Sequence, residues 1–229
     1  MVQSETVERI LDAAQQLFAE RGFAETSLRT ITARAGVNLA AVNYHFGSKD
    51  ALIQAVFMRF LGPFCLRLEG ELDRLEGRSA SLEELLEMVV REAFAVAREI
   101  GSELTVFMRL LGMAVRQHQR ELQAFLGGLY GRALRRYLRR LQEAVPDIAP
   151  LELFWRAHFM LGAATYSMAG IQLLRDNVQL CFGVDTSAEQ VLDLMVPFMA
   201  AGMRAAPVLG DAAPEPAGCA ASAVGCGGR

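Results

Sequence analysis

The sequence predicts an all-α protein, and three observations lead to this expectation. Good helix formers are frequent, whereas the chain has only 7 prolines and 8% aromatic residues. Apolar residues make up 52% of the 229 residues, enough for a substantial core. Apolar side chains also recur at helical spacing in nearly every segment up to residue 205. We expect a helical N-terminal domain (1–60), a larger helical domain (61–205) and a disordered tail (206–229) rich in Ala, Gly and Pro.

Four helices are expected in the N-terminal domain. The first begins near Val7, where apolar residues recur at i, i+3, i+4 and i+7. Residues that cap or stop helices mark the boundaries: Gly22, Thr26 or Ser27, Gly36, Asn38 and Ser48. Two short helices joined by a glycine turn are typical of a helix-turn-helix motif.

The larger domain is expected to begin at Gly62-Pro63, a pair that commonly interrupts helices. Ser81 with Glu84, and Thr186 with Glu189, have the spacing of capping boxes and open two of its helices. Pro197 is expected to kink the last helix. The predicted segments are 81–100, 103–117, 120–145 (with a bend at Gly127-Gly128), 151–177 and 186–205.

Cysteines and targeting signals indicate a soluble cytoplasmic protein. The 4 cysteines are scattered, and no C-x-x-C pair occurs, so we expect free thiols and neither a metal nor another cofactor. The N-terminus lacks the apolar run of a signal peptide. The uncharged stretch 157–174 contains polar residues and glycines, which favours a buried bundle helix over a membrane span.

The charge pattern points to an anionic partner for the helix-turn-helix. The chain has a net charge of -3, yet no Asp or Glu occurs between Thr26 and Lys49. Because phosphate repels carboxylates, this local exclusion is expected of a surface that faces double-stranded DNA. The alternative is that short helices simply carry few acidic residues.

The third helix predicts which side chains would meet the DNA. Leu39, Val42 and Phe46 share one face and are expected to be buried. The opposite face, the basic residues nearby and the two capped helix starts supply groups for base edges and phosphates. Tyr44 and His45 could instead pack at the helix end. The predicted DNA-binding residues are Thr26, Ser27, Arg29, Asn38, Ala40, Ala41, Asn43, Tyr44, His45 and Lys49.

Residues 5–60 resemble the DNA-binding domain of TetR-type transcriptional regulators. The resemblance lies in LFAERGF of the first helix, ARAGV of the turn and YHFGSKDAL before the fourth helix. It implies an all-helical homodimer whose C-terminal domain binds a small effector and dimerises through its last two long helices. SETVERILDAA, NLAAVNYHFGSKDALIQAVF and FLGPFC are most similar to fatty-acid-responsive regulators of β-oxidation genes. The family commonly has tyrosine at the position of Asn43, whereas the tyrosine here is Tyr44.

The C-terminal domain has the composition of an adaptable apolar site. Eight of the 10 methionines lie between Met88 and Met203, together with several phenylalanines. Arg109 stands in the apolar run FMRLL, where it could receive an anionic head group or pair with Glu103. His118 and His158 are weaker candidates for the head group, and ordinary core packing is the alternative for the apolar residues. The predicted ligand-binding residues are Phe107, Arg109, Met113, Phe125 and Phe159.

Two further patterns concern surfaces of this domain. Five arginines between 132 and 140 form one helix face, which could contact nucleic acid or a membrane but more commonly meets acidic residues, here Glu83, Glu84 and Glu87. Gly162, Ala163 and other small residues let another helix approach closely. Together with the apolar last helix they predict a four-helix homodimer interface within 151–205.

These observations favour a regulator over an enzyme. The sequence contains no P-loop, dinucleotide-binding, metalloprotease or nucleophile-elbow motif. We expect a DNA-binding regulator, acting as a repressor, that a long-chain apolar anion such as a fatty acid or acyl-CoA releases from a palindromic operator. A cytosolic lipid carrier and a regulator of an unrelated hydrophobic compound are the alternatives.

Overall fold

Residues 2–116 and 120–209 are described by a computed structural model, and within them every regular element is an α-helix. The helices are α1 (Val2–Glu25), α2 (Leu28–Ala35), α3 (Leu39–Phe46), α4 (Lys49–Arg74), α5 (Leu82–Glu99), α6 (Leu104–Arg116), α7 (Arg120–Ala144), α8 (Pro150–Ala169), α9 (Ile171–Phe182) and α10 (Ala188–Arg204). The expected all-α fold is confirmed. The expected contribution of His118 lies outside the described residues.

α2, α3 and α4 begin where the cap residues predict, whereas α1 begins at Val2 rather than near Val7. The side chains of Ser27, Asn38 and Ser48 accept hydrogen bonds from the amides of Thr30, Ala41 and Ala51, as N-caps do. Gly36 ends α2 in the left-handed conformation with φ 63°. Gly22 also has a positive φ, of 84°, but α1 continues past this kink to Glu25.

The boundary between the expected domains falls inside one helix. α4 continues through Gly62 and Pro63 to Arg74. Its buried side chains on both sides of Pro63, among them Phe57 and Leu68, pack into a common core. This packing offsets the cost of about 3 kcal/mol for a proline inside a helix. Among the described helices, α4 has the length and apolar composition that a membrane-spanning helix needs. The buried core helix of a globular protein can have the same length and composition.

The C-terminal helices differ from the prediction in two places. The expected helix 151–177 is divided at Gly170 into α8 and α9. α10 begins one residue later than predicted, because the capping box is formed by Ser187 and Gln190 rather than by Thr186 and Glu189. α7 is unbroken through Gly127-Gly128, and α10 is unbroken through Pro197.

A buried ion pair connects α8 to the end of α10. Arg156 bonds to Glu152 and donates to the carbonyl oxygens of Gly202, Met203 and Ala205 at 2.8–3.0 Å. Glu152 accepts the amides of Val208 and Leu209. Residues 206–209, expected to belong to the disordered tail, therefore have defined contacts, while 210–229 lie outside the described residues.

The arginine face of α7 pairs with α4 rather than with α5. Arg132 bonds to Glu69, and Arg136 bonds to Asp73. Arg140 pairs with Glu143 and donates to the carbonyl oxygens of Leu75 and Arg78. The expected partners were wrong: Glu83 pairs with Arg204, and Glu84 pairs with Arg78. The interpretation as a charged face that meets acids is retained with these new partners.

Candidate nucleic-acid interface

The helix-turn-helix is held in place by α1. The Arg9 guanidinium donates to the carbonyl oxygens of Ala35 and Gly36 at 3.0 and 2.8 Å. Glycine is favoured at Gly36 by its left-handed conformation, with φ 63°, which other residues adopt only with strain. α2 and α3 are thereby fixed against the body of the domain. The sequence prediction missed Arg9, although an arginine on the first helix was visible.

The exposed face of α3 differs from the predicted face at Leu39 and Ala41. Leu39, Ala40, Asn43 and Tyr44 are exposed, and Tyr44 is the most exposed large side chain of α3 at 75%. Val42 is fully buried, and Phe46 and His45 are half-buried. The expectation that Leu39 is buried was wrong. In this 8-residue helix Val42 is the buried residue, and Leu39 at the first position remains exposed. Ala41, expected on the DNA side, is half-buried against the core.

The side chain of Thr26 is not at this surface. It is completely buried, and its hydroxyl donates to the carbonyl oxygen of Gly22 at 2.8 Å. Its inclusion among the DNA-binding side chains is therefore corrected, since a buried and satisfied hydroxyl cannot reach a phosphate. Ser27, next along the chain, is exposed and caps α2.

Two helix starts lie in the acid-free segment with basic side chains near them. Each helix leaves its first amides without intrahelical partners, and its dipole favours an anion there. Arg29 is exposed in the first turn of α2. Lys49 is half-buried in the first turn of α4, and its Nζ donates to the Ala24 carbonyl oxygen at 3.4 Å. Asn38 is exposed at the start of α3, with its oxygen engaged in the cap.

The remaining cation of this segment is neutralised. Arg34 pairs with Glu20 of α1 at 2.9 Å. Among the described residues, Arg29 and Lys49 form no ion pair, so their charge is available to phosphate. Along the chain, the exposed face of α3 thus lies between two helix starts that attract anions.

The predicted ligand-binding residues do not gather at one place in the described structure. Phe107 is buried, and its ring stacks on Phe60 of α4 with centroids 3.9 Å apart. Phe159 is 67% exposed on α8, so the described part of the chain leaves this side chain largely uncovered. Met113 and Phe125 are half-buried on α6 and α7.

Arg109 remains a candidate to bind the anionic head group of a ligand. It is half-buried on α6, and its Nη2 lies 3.4 Å from the carbonyl oxygen of Ala169 on α8. The alternative partner, Glu103, instead accepts the hydroxyl of Thr105. His158 is half-buried, with Nδ1 2.7 Å from the Phe154 carbonyl oxygen. Within the described ranges Arg109 therefore has a carbonyl partner and no carboxylate.

The comparison with known families decides the identity. The model described as bacterial regulatory proteins, tetR family, matches residues 10–56, and the model of the tetracyclin repressor-like C-terminal domain matches residues 87–202. This chain belongs to the TetR family. TetR-family proteins are transcriptional regulators rather than enzymes, so the expected helix-turn-helix regulator is confirmed.

Curated relatives of this TetR-family chain match it over short segments. An HTH-type transcriptional repressor of Mycobacterium tuberculosis is 56% identical over 52 residues, which are 23% of this chain and 28% of that protein. The probable regulator YttP of Bacillus subtilis is 32% identical over 84 residues, or 37% of this chain and 40% of that protein. The matches thus span less than half the length of these relatives.

Solved structures share the fold over most of both chains. The fatty acid degradation regulator FadR from Bacillus halodurans has a TM-score of 0.56 at 18% identity, covering 86% of this chain and 94% of that one. SmeT, the repressor of the Stenotrophomonas maltophilia multidrug efflux pump SmeDEF, has a TM-score of 0.52 at 21% identity, covering 87% and 90%. At these identities the likeness shows the fold alone.

Proposed function

We propose that this chain is a cytoplasmic homodimeric repressor that binds a palindromic operator and releases it when a long apolar anion binds. The observation that carries the proposal is the exposed, acid-free face of α3 between the starts of α2 and α4. The proposed effector is a long-chain fatty acid or its acyl-CoA. Repression is supported by the Mycobacterium tuberculosis relative, which is named a repressor and is 56% identical to this chain over 52 residues.

The chemistry of the α3 face suits the major groove. Leu39 and Ala40 provide apolar contacts for thymine methyl groups, and Asn43 can pair with an adenine edge. Tyr44 is open enough to reach a phosphate at the groove edge. Ser27, Arg29 and Lys49 supply phosphate contacts that set the position of α3 on the duplex.

A second copy would cover the outer apolar side of α8 and α10. Large side chains there are exposed in the single chain: Trp155, Phe159, Tyr166, Leu194 and Phe198. Other apolar residues of α10, such as Leu192 and Met199, are buried within the chain. A soluble chain rarely leaves so many large apolar residues open to water, and a two-fold dimer would present two copies of α3 to a palindrome.

An apolar effector with one negative charge fits the helical body. Met108, Met113 and Met160 are partly buried against the core, and such flexible side chains adapt to a long chain. Arg109 supplies a cation with donors to spare for a carboxylate. The fold relative FadR is named for fatty acid degradation, while SmeT is named for multidrug efflux. A regulator of another hydrophobic compound is therefore the alternative.

A conformational change caused by effector binding can be transmitted to the DNA-binding surface through α6. Phe107 of α6 stacks on Phe60 and lies against Phe57, both on α4. Gln15 of α1 bonds to Ser102, two residues before α6. A displacement of α6 would therefore shift α1 and α4, and α4 begins at Lys49. A ligand releases DNA only if it favours the shifted state.

The effector proposal is tested by titrating operator-bound protein with acids of 8 to 18 carbons. The operator is first selected by this protein from a pool of random duplexes, and release is followed by fluorescence anisotropy. Each buried methylene contributes roughly 0.8 kcal/mol, so two further carbons should lower the half-release concentration by about tenfold. Operator release should thus increase steeply with chain length.

Arg109→Ala tests the anchor of the head group. We expect release by the longest acid to need a higher concentration in this variant, while the operator affinity without acid stays unchanged. Arg98→Ala, which removes an exposed arginine from α5, is the control. If no acid of any length releases the operator, the fatty-acid proposal is wrong; if release ignores Arg109, the anchor lies elsewhere.

A further inference from the structure

The guanidinium of Arg9 reaches from α1 to the turn between α2 and α3. Its Nε donates to the carbonyl oxygen of Ala35 at 3.0 Å. Its Nη2 donates to the carbonyl oxygens of both Ala35 and Gly36, the latter at 2.8 Å. Ala35 is the last residue of α2, and Gly36 is the glycine that ends this helix. One planar side chain of α1 thus holds two consecutive carbonyl groups of the turn.

The end of α2 favours a cation at this place. Within the turn, the amides of Gly36 and Val37 donate to the carbonyl oxygens of Ala33 and Thr32. The last carbonyls of a helix lack intrahelical donors and carry the negative end of the helix dipole. Arg9 supplies both donors and positive charge, so its contact stabilises the end of α2 in the conformation seen here.

The backbone of α1 is itself well fixed around this arginine. Ile10, the next residue, is fully buried. Glu8, the preceding residue, pairs at 3.0 Å with Arg59 of α4, and Asp12 pairs with the same arginine. Because the core and α4 hold α1 here, the turn can move away from α1 only by breaking its bonds to Arg9.

The orientation of α3 depends on this turn. α3 has 8 residues, of which Val42 is buried, while Ala41 and Phe46 are partly buried. A short helix held near its middle can still tilt about that point, whereas contacts to base edges need each side chain within roughly 0.5 Å of its position. The bonds from α1 limit such a tilt at the end of α3 that carries the exposed residues Leu39 and Ala40.

The groups proposed to bind phosphate have anchors of their own. Ser27 and Arg29 lie at the start of α2, where Ile31 is fully buried. Lys49 lies at the start of α4, a helix with buried residues along most of its length. Phosphate contacts bind DNA of any sequence, whereas base contacts select one sequence. Loss of the Arg9 bonds should therefore reduce selection of the operator more than binding to DNA in general.

We propose that Arg9 is a positioning residue for α3, which sets operator specificity through the turn without touching DNA. This inference rests on the operator binding of the proposed function and adds a residue outside the DNA-facing surface. Arginine suits the role because its planar guanidinium presents several donors in a fixed geometry. Lysine has a single nitrogen on a flexible stem, so it would hold the two carbonyls less rigidly.

Arg9→Ala and Arg9→Lys test this role, with the selected operator and an unrelated duplex as ligands in fluorescence anisotropy. Arg9→Ala should lower the affinity for the operator at least about tenfold, because misplaced base contacts act like mismatched base pairs. Its affinity for the unrelated duplex should stay within about twofold, with an unchanged salt slope. Arg9→Lys keeps the charge and should show an intermediate loss of operator preference.

The control for net charge is Arg139→Ala, which removes an exposed arginine from α7. It should keep the ratio of operator affinity to unrelated-duplex affinity that the natural chain has. Arg9 is also exposed, so the melting temperature of its variants should change little. If Arg9→Ala does not fold, Arg9→Lys provides the test.

The outcomes separate the positioning role from operator binding itself. If the natural chain does not prefer the selected operator, the proposed operator binding fails, and the role of Arg9 fails with it. If the natural chain prefers the operator and either Arg9 variant keeps the full affinity ratio, only the positioning role is wrong. If Arg9→Ala weakens binding to both duplexes equally and lowers the salt slope, Arg9 contacts a phosphate, which overturns the proposal.

Discussion

Lys49 is placed to contact a phosphate, because it lies in the first turn of α4 beside amides that have no intrahelical partner. Its weak bond to Ala24 O at 3.4 Å does not satisfy all its donors. Lys49→Ala should weaken binding to the operator and to an unrelated duplex by the same factor. It should also lower the slope of log K against log salt by about one unit, measured by anisotropy at several salt concentrations.

Arg139→Ala is the control for this change of net charge. Arg139 is exposed on α7, far along the chain from the helix-turn-helix. Its removal should leave the salt slope unchanged. An unchanged slope in Lys49→Ala, or an equal decrease in both variants, would exclude a Lys49–phosphate contact.

Residue-level prediction succeeded where the cause is local. Ser27, Asn38, Ser48 and Gly36 were predicted as caps, because each acts on amides or carbonyls within three or four residues. The orientation of Leu39 was missed, since it depends on how α3 rests on the other helices. Thr26 was missed for the same reason, as its hydroxyl bonds into the kink at Gly22.

At the level of elements, the Glu152–Arg156 pair fixes the end of α10 against α8. The amide of Leu209 and the guanidinium of Arg156 hold the pKa of the Glu152 carboxyl below its ordinary value. A depressed carboxyl pKa stabilises the fold above the unfolded-state value, and this contribution is lost as the pH falls through the folded-state value. Glu152→Gln should therefore lower the melting temperature at pH 7, with a difference that shrinks as the pH falls below about 4.3.

Asp193→Asn is the control, because Asp193 is exposed on the middle of α10. It should change the melting temperature little at any pH. Removal of residues 210–229 should leave the pair intact, whereas removal from residue 207 should reproduce much of the Glu152→Gln effect. A constant difference between the natural chain and Glu152→Gln from pH 7 to pH 3 would contradict this role of the carboxylate.

Helix boundaries were predictable only where tertiary packing does not determine them. Gly62-Pro63 indicated a break, yet buried residues on both sides carry α4 through it. Gly170 was not expected to divide a helix, because glycine alone does not specify a bend. Thr186 with Glu189 and Ser187 with Gln190 both fit the capping-box spacing, and the sequence offers no ground for choosing between them.

For the whole molecule, contacts between distant segments limited what the sequence could predict. The arginine face of α7 was expected to meet acids, but its partners Glu69 and Asp73 lie 63 residues away. Phe159 was expected in a ligand site because apolar residues of cores, pockets and interfaces are alike in sequence. In the structure Phe159 is exposed on the surface of α8, where we propose that a second copy of the chain covers it.

The central claim is that two copies of the α3 face, held in one dimer, bind a palindromic operator. It is tested most directly by sedimentation and titration of the labelled, selected operator beside a duplex in which one half-site is scrambled. We predict two chains bound to the intact operator. The affinity for the half-scrambled duplex should be lower by at least about 100-fold, because all the specific contacts of one half-site are lost. One chain per operator, or equal affinity for both duplexes, would contradict the account.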